Sequence, residues 1–118
     1  MKYKTHKTSN SRQHFNAWQI ATQGGKLSRV SLSRYRKACA AAFWLNWLND
    51  YADKCAEFDN SQAYTEERSA KMARRLEELE HTTAEHLAPL GLEFFCCSHF
   101  YGIARKGEKN QIYIHIYI

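Results

Sequence analysis

No stretch of the 118-residue sequence approaches the roughly 20 consecutive apolar residues that a membrane-spanning helix requires. The longest apolar run covers residues 38–48 and is interrupted by Asn46. The first residues are polar and basic, so the sequence shows no apolar core of a secretory signal. We therefore expect an intracellular protein with a cytoplasmic location.

Motifs of the common catalytic families are also missing. The chain contains no Walker-type phosphate loop, no GxSxG nucleophile elbow and no GxGxxG dinucleotide motif. No local signature selects any of the four cysteines as a nucleophile. We expect a protein that is not an enzyme and that uses no cofactor.

The cysteines favour free thiols over disulfides or a metal site. Cys39 and Cys55 fall in a predicted helix, and the neighbours Cys96 and Cys97 fall in a predicted strand, where successive side chains point to opposite faces. We expect all four to be reduced. Three zinc ligands could converge if Cys97, His99 and His115 shared a sheet face, but the chain has no CxxC pair. We therefore expect no metal.

The chain is long enough for one domain, residues 1–118, with a core that needs no cross-link. Helical spacing predicts a short helix over residues 15–22, a long helix capped by Ser31 or Ser33 that runs to about residue 58, and a second long helix over residues 64–87. The first long helix is apolar on nearly all sides around residues 38–48, which predicts a central position, with Trp44 and Leu48 mostly buried. The short polar link between the long helices predicts an antiparallel pair.

Strict alternation predicts strands at the C-terminus. Residues 112–118 alternate isoleucine with tyrosine or histidine, and we expect them to pair with one strand over residues 92–105. Residues 2–8 are a candidate third strand. The predicted fold is α+β: two long antiparallel helices packed on a small antiparallel sheet that contains a C-terminal β-hairpin.

One face of that hairpin should be aromatic. The preferred register groups Phe94, Cys96, Gly102 and Ala104 with the isoleucines and leaves aromatic rings on the other face. This face is a candidate secondary interface for bases or a protein, and the alternative is that it packs under the N-terminal segment. Its candidate residues are Tyr101, Tyr113, His115 and Tyr117.

Charge is the most informative property of the chain. The first 37 residues contain nine Lys or Arg and no Asp or Glu, whereas residues 38–87 contain five basic and ten acidic residues. A segment of one sign attracts polyanions, although a solvated basic face is the alternative. The candidate binding residues for nucleic acid or a partner are Lys2, Lys4, Lys7, Arg12, Lys26, Arg29, Ser31, Arg34, Arg36 and Lys37.

Residues 20–35 resemble a helix-turn-helix. Ala21 and Gly25 have the spacing of the small residue and the turn glycine, and residues 27–28 and 32–34 resemble the second helix of repressor-type domains. The resemblance implies that Ser28, Arg29, Ser31 and Arg34 lie near the major groove, with Lys26, Arg36 or Lys37 on phosphates. A glycine turn before an ordinary helix is the alternative.

Two functions follow as hypotheses. The first is a non-catalytic binding protein whose basic N-terminal third engages nucleic acid or a nucleoprotein complex. The alternative is a small inhibitor or adaptor, of the anti-defence, anti-CRISPR-like kind that phages and mobile elements encode, which binds a host protein complex. Short length, charge of one sign and an aromatic face fit both.

Overall fold

The computed structural model of the chain describes residues 14–22, 29–96 and 100–107. Its elements are, in order, α1 (Ala17–Ala21), α2 (Leu32–Asp59), α3 (Glu66–Leu87), a 3-10 turn (Ala88–Leu90), β1 (Leu92–Cys96) and β2 (Tyr101–Arg105). Two long helices pack against a two-stranded antiparallel sheet, which confirms the predicted α+β class. The predicted strands at residues 2–8 and 112–118 lie outside the described residues.

The helix boundaries follow from capping side chains. Ser31 Oγ accepts a hydrogen bond of 3.1 Å from the Arg34 amide at the start of α2. Thr65 Oγ1 does the same for the Arg68 amide, at 3.2 Å, at the start of α3. Gly91 ends the 3-10 turn at φ +75°, a left-handed conformation that glycine adopts without strain. The predicted extents of both long helices are therefore confirmed.

The long helices run antiparallel, as expected from the short link between them. Near one end of the pair, the Thr83 hydroxyl donates to the Trp44 carbonyl at 3.3 Å. Near the other end, the Cys55 thiol lies 3.9 Å from the Met72 carbonyl. Residue numbers therefore rise along one helix as they fall along the other, which defines the antiparallel pair.

The core lies where α2 meets α1, α3 and the sheet. Leu45 and Leu48 are fully buried there, which confirms the prediction for Leu48. Trp44 is only partly buried, because its ring lies at the border of the α2–α3 contact and stacks on His86 at 5.7 Å between centroids. The isoleucine row of residues 112, 114 and 116, which was expected in the core, lies outside the described residues.

The prediction of a single strand over residues 92–105 is wrong. This segment is itself a hairpin, in which β1 pairs with β2 so that Phe94 faces Ile103 and Phe95 faces Gly102. Directly opposed residues share a sheet face, so the expected grouping of Phe94 with Gly102 is also wrong. The ring of Phe95 covers Gly102, where an added Cβ would come within 3.0 Å of Phe95 Cζ. Glycine at this position therefore leaves room for the ring.

Two asparagines of α2 attach other segments through paired hydrogen bonds. The Asn49 side chain accepts from the Tyr101 amide at 2.7 Å and donates to the Tyr101 carbonyl at 3.2 Å. The Asn46 side chain holds the amide and the carbonyl of Phe15 in the same way, with both bonds at 2.8 Å. Each amide satisfies a backbone donor and acceptor as a neighbouring strand would. The asparagines thus fix β2 and the segment before α1 to α2.

Within the described ranges, Cys39, Cys55 and Cys96 are free thiols, as expected. Cys97 lies outside them. A search of the described helices finds none that combines the length and the apolar character needed to cross a membrane.

Candidate functional site

The structure describes half of the predicted basic site. Lys2, Lys4, Lys7, Arg12 and Lys26 lie outside the described residues. Arg29, Ser31, Arg34, Arg36 and Lys37 are described and fall at or before the first turns of α2. Their roles differ, and the differences come from what each side chain contacts.

Arg34, which the sequence suggested as a binding residue, is a structural residue in the folded chain. Its Nε donates to the Ala21 carbonyl at 2.8 Å, and its Nη2 lies 3.4 Å from the Leu90 carbonyl. Both carbonyls are at the ends of helical segments, where backbone acceptors lack intrahelical partners and cations are favourable. The Arg34 guanidinium therefore ties α1 and the 3-10 turn to α2. Ser31 is likewise engaged, because its side chain caps α2.

The helix-turn-helix interpretation is not supported by the described part of the segment. Residues 29–31 are not helical, and α2 begins only at Leu32, so no continuous second helix runs from residue 27 to residue 34. Arg34, which the resemblance places near the major groove, points towards the protein instead. Ser28 and the turn glycine lie outside the described residues.

Three cations remain exposed at this end of α2: Arg29, Arg36 and Lys37. Among the described residues, none of the three forms an ion pair with a carboxylate. They add to the positive end of the helix dipole instead of neutralising it, since the first turn of α2 carries no acidic residue. The described site is therefore a small region of uncompensated positive charge.

The proposed aromatic interface loses one of its four members. Tyr101 is 7% exposed, and its hydroxyl donates to Glu80 at 2.5 Å, so the expected surface position of this ring is wrong. Asn49 holds its backbone against α2, which turns the ring into the core and against Phe94. Tyr113, His115 and Tyr117 lie outside the described residues.

Burial and the hydrogen bond to Glu80 raise the pKa of Tyr101 well above the ordinary value for tyrosine. The unfolded chain releases this proton near pH ~10, whereas the folded chain keeps it. Stability from this group is therefore present below that pH and is lost as the pH rises further. Raised pKa values at Cys55 and Tyr51, chiefly from burial, act in the same direction.

We expect the free energy of unfolding of Tyr101→Phe to fall less with rising alkaline pH than that of the wild type. Above pH ~10.5 the wild-type free energy of unfolding should fall more steeply than that of the variant, by up to about 1.4 kcal/mol per pH unit. Urea unfolding from pH 8 to 11 measures both curves. Tyr64→Phe, at an exposed position, is the control. Parallel curves for Tyr101→Phe and wild type would contradict the assignment.

A surface that the sequence interpretation missed lies on α2. Phe43 is 60% exposed and Trp47 is 42% exposed, although both lie in the stretch that was predicted to be central. The central position of α2 is confirmed, since α1, α3 and the sheet pack against it, but these elements cover its other sides and not this one. The rings of Phe43 and Trp47 are stacked, with centroids 6.5 Å apart and planes 13° apart. We call the side of α2 bearing Leu32, Arg36, Cys39, Phe43, Trp47, Asp50 and Lys54 the outward face.

Across residues 14–22, 29–96 and 100–107, no three His, Cys, Asp or Glu side chains are grouped so that they could hold a metal ion. The zinc alternative is outside this part of the chain, because Cys97, His99 and His115 are not described. His81 and His86 do not act together, since His86 bonds to the Thr82 carbonyl and stacks on Trp44, while His81 faces Glu85 on the surface.

Comparisons with known proteins give no family for this chain. No protein-family model matches it, and no curated protein or solved structure is significantly similar to it.

Proposed function

We propose that this chain is a non-catalytic binding protein whose basic N-terminal third engages nucleic acid or a nucleoprotein complex. The observation that carries the proposal is charge segregation: the chain has no Asp or Glu before Asp50. Arg29, Arg36 and Lys37, the described exposed cations of that region, form no ion pair with a described carboxylate. A region of this kind attracts polyanions and contacts phosphates directly.

The structure changes which residues belong to the proposed site. Arg29 and Lys37 are exposed and suited to phosphate contact, and the five cations at positions 2, 4, 7, 12 and 26 would extend the same charge. Arg34 is left out because its guanidinium holds two backbone carbonyls. Most of the binding free energy would come from phosphates, so little sequence preference is expected.

The proposal includes a cytoplasmic location. Free thiols at Cys39, Cys55 and Cys96 fit a reducing compartment.

The test is nucleic-acid binding by fluorescence anisotropy, with labelled single-stranded and duplex oligonucleotides over a range of salt. The dissociation constant should rise steeply with salt, by a slope of about 0.9 per duplex phosphate contacted on a double-logarithmic plot. Arg29→Glu combined with Lys37→Glu should weaken binding by at least about tenfold and lower that slope by about 2. Arg36 stays unchanged because it lies on the outward face of α2.

A charge-matched control separates local contact from net charge. Lys71→Glu combined with Arg74→Glu makes the same change in net charge on exposed positions of α3. This control should change the affinity by no more than about threefold at moderate salt, because screening limits charges beyond ~10 Å. Equal losses in both double variants would contradict a site at α2. No binding to any oligonucleotide would remove the nucleic-acid proposal and leave a protein partner, as the inhibitor or adaptor alternative predicts.

A further inference from the structure

The outward face of α2 carries three exposed large apolar side chains. Leu32 is 62% exposed, Phe43 60% and Trp47 42%, all on one helix. Phe43 also packs edge-on against Trp44 at 5.3 Å, so its ring is held in place from one side. Exposed apolar surface that is contiguous and ordered marks an interaction site more often than scattered single residues do.

The residues of this face are arranged symmetrically about Phe43. Arg36 and Asp50 lie seven residues before and after it, which is about two helical turns, so all three fall on one line along α2. Cys39 and Trp47 lie four residues to either side. Leu32 and Lys54 complete the face eleven residues away. Arg36 thus precedes Phe43 and Asp50 follows it at the same distance, while Lys54 lies beyond Asp50.

The order of charge in α2 is unfavourable for the isolated helix. Basic residues occupy its first turns and acidic residues its last turns, with no acid in the first turn and no base in the last. A helix dipole prefers the opposite order at both ends. α3 follows that preference, with Glu66 and Glu67 in its first turn and His86 in its last. The helix dipole of α2 therefore gives no account of this order.

We propose that the outward face binds the outward face of a second copy of this chain, with the two α2 helices antiparallel and a two-fold axis at Phe43. In this arrangement Phe43 meets Phe43 of the second copy, and Trp47 of each copy meets Cys39 of the other. Arg36 of each copy meets Asp50 of the other. The central aromatic residues and the Arg36–Asp50 charges then face complementary groups, as a two-fold interface requires, while Leu32 and Lys54 meet at its two ends.

The antiparallel arrangement also makes the order of charges in α2 favourable. The basic first turns of one helix lie beside the acidic last turns of the other, and each dipole end meets its opposite. Asp50 already faces His14, with Nε2 3.0 Å from Oδ1 and its side chain 45% exposed. A carboxylate accepts several hydrogen bonds, so contact with Arg36 of the second copy is compatible with the His14 contact. From Leu32 to Lys54 the face is about 33 Å long, at 1.5 Å per residue.

A partner with a different sequence explains the exposed rings equally well but does not explain the antisymmetric charges about Phe43. Those charges match a copy of the same helix read in the reverse direction. The inference does not depend on nucleic-acid binding, since it concerns association of the protein with itself.

The first experiment measures self-association of the full chain by sedimentation equilibrium over a wide concentration range. The wild type should show a reversible monomer–dimer equilibrium. Phe43→Glu should weaken the dimer by at least about 100-fold, because it places two carboxylates on the two-fold axis of the interface. Tyr64→Glu is the matched control, since Tyr64 is also an exposed aromatic residue but lies just before α3, off the outward face. A wild type that is monomeric throughout, or a Phe43→Glu variant that dimerises as well as wild type, would overturn the proposal.

The second experiment tests the register. Arg36→Glu places acid against acid at both ends of the dimer, and Asp50→Arg places base against base, so each variant alone should be monomeric at concentrations where the wild type is dimeric. An equimolar mixture should recover dimers, because every position 36 then faces an opposite charge at position 50. Mixing would also match the charges of a parallel pair, so the direction is tested by the double variant Arg36→Glu with Asp50→Arg. This variant should dimerise by itself only in the antiparallel arrangement, where position 36 faces position 50, because a parallel pair would place like charges together at both positions.

Folding is checked by circular dichroism and thermal unfolding, since Asp50→Arg removes the His14 contact. If this variant fails to fold, Asp50→Asn keeps an oxygen for His14 and should still weaken the wild-type dimer several-fold. Dimerisation of the double variant by itself supports the antiparallel dimer, and a folded double variant that stays monomeric overturns it. Variants that fold but stay monomeric when mixed overturn it, and so does an unaltered dimer in each variant alone.

Discussion

Replacing Asn49 with leucine should lower the free energy of unfolding by about 3 kcal/mol, although the change makes the core more apolar. Asn49 is 1% exposed, and its amide pairs with both backbone groups of Tyr101. Leucine has nearly the same volume but leaves the Tyr101 amide and carbonyl buried without these partners. Each buried unsatisfied group costs about 1–3 kcal/mol, which outweighs the gain from burying two methyl groups.

Urea unfolding of Asn49→Leu and wild type measures this difference, with Asn46→Leu as the comparison. Asn46 makes the same pair of bonds to Phe15, but it is only partly buried, so water can replace part of what is lost. We expect about 1 kcal/mol for Asn46→Leu. A loss below ~0.5 kcal/mol at Asn49 would show that β2 is held to α2 by apolar contact alone.

The helices could be predicted because their ends depend on local chemistry. Ser31 and Thr65 are side chains that cap helices within their own first turns, and no distant residue is needed for that. Helical spacing likewise predicted α3, and its residues Leu79 and Leu87 are buried. Class and helix extents therefore followed from short-range patterns.

The sheet could not be predicted in the same way. Residues 92–105 were predicted as one strand because the break between Cys96 and Tyr101 has no glycine or proline to mark it. What stabilises the hairpin is non-local: Asn49 of α2 holds the start of β2, and Gly102 accommodates the ring of Phe95. Neither contact changes the spacing of apolar residues within this segment, so the sequence pattern does not reveal it.

For the candidate site, too, the sequence showed which residues are charged but not what their side chains contact. The positive charge of the N-terminal region could be counted from the sequence, but the different roles of Arg34 and Arg36 could not be predicted from it. Both are arginines two residues apart on α2, and they differ only in what lies opposite them. The exposure of Phe43 and Trp47 was missed because a run of apolar residues shows hydrophobicity and not which side of the helix is left uncovered.

Replacing Arg34 with glutamate should therefore impair folding, whereas replacing Arg36 with glutamate should leave folding unchanged and impair dimerisation. Arg34→Glu should lower the free energy of unfolding by about 2–4 kcal/mol, because it removes charge-assisted hydrogen bonds and turns a carboxylate towards the carbonyls of Ala21 and Leu90. Arg34→Met, which keeps the aliphatic stem without the charge, should lose about 1–2 kcal/mol. Arg36→Glu should change stability by less than ~0.5 kcal/mol, since Arg36 is exposed.

Chemical unfolding must be measured at a protein concentration where the chain is monomeric, because dimerisation adds stability by mass action and would hide the difference. Under that condition the unfolding midpoint of Arg36→Glu should coincide with that of wild type, and that of Arg34→Glu should fall to clearly lower urea. Equal midpoints for the two glutamate variants would mean that the Arg34 guanidinium adds nothing at the junction of α1, α2 and the 3-10 turn. Arg34 would then return to the set of cations available for a partner. A fall confined to Arg34→Glu separates the arginine that holds the fold together from the arginine that remains on its surface.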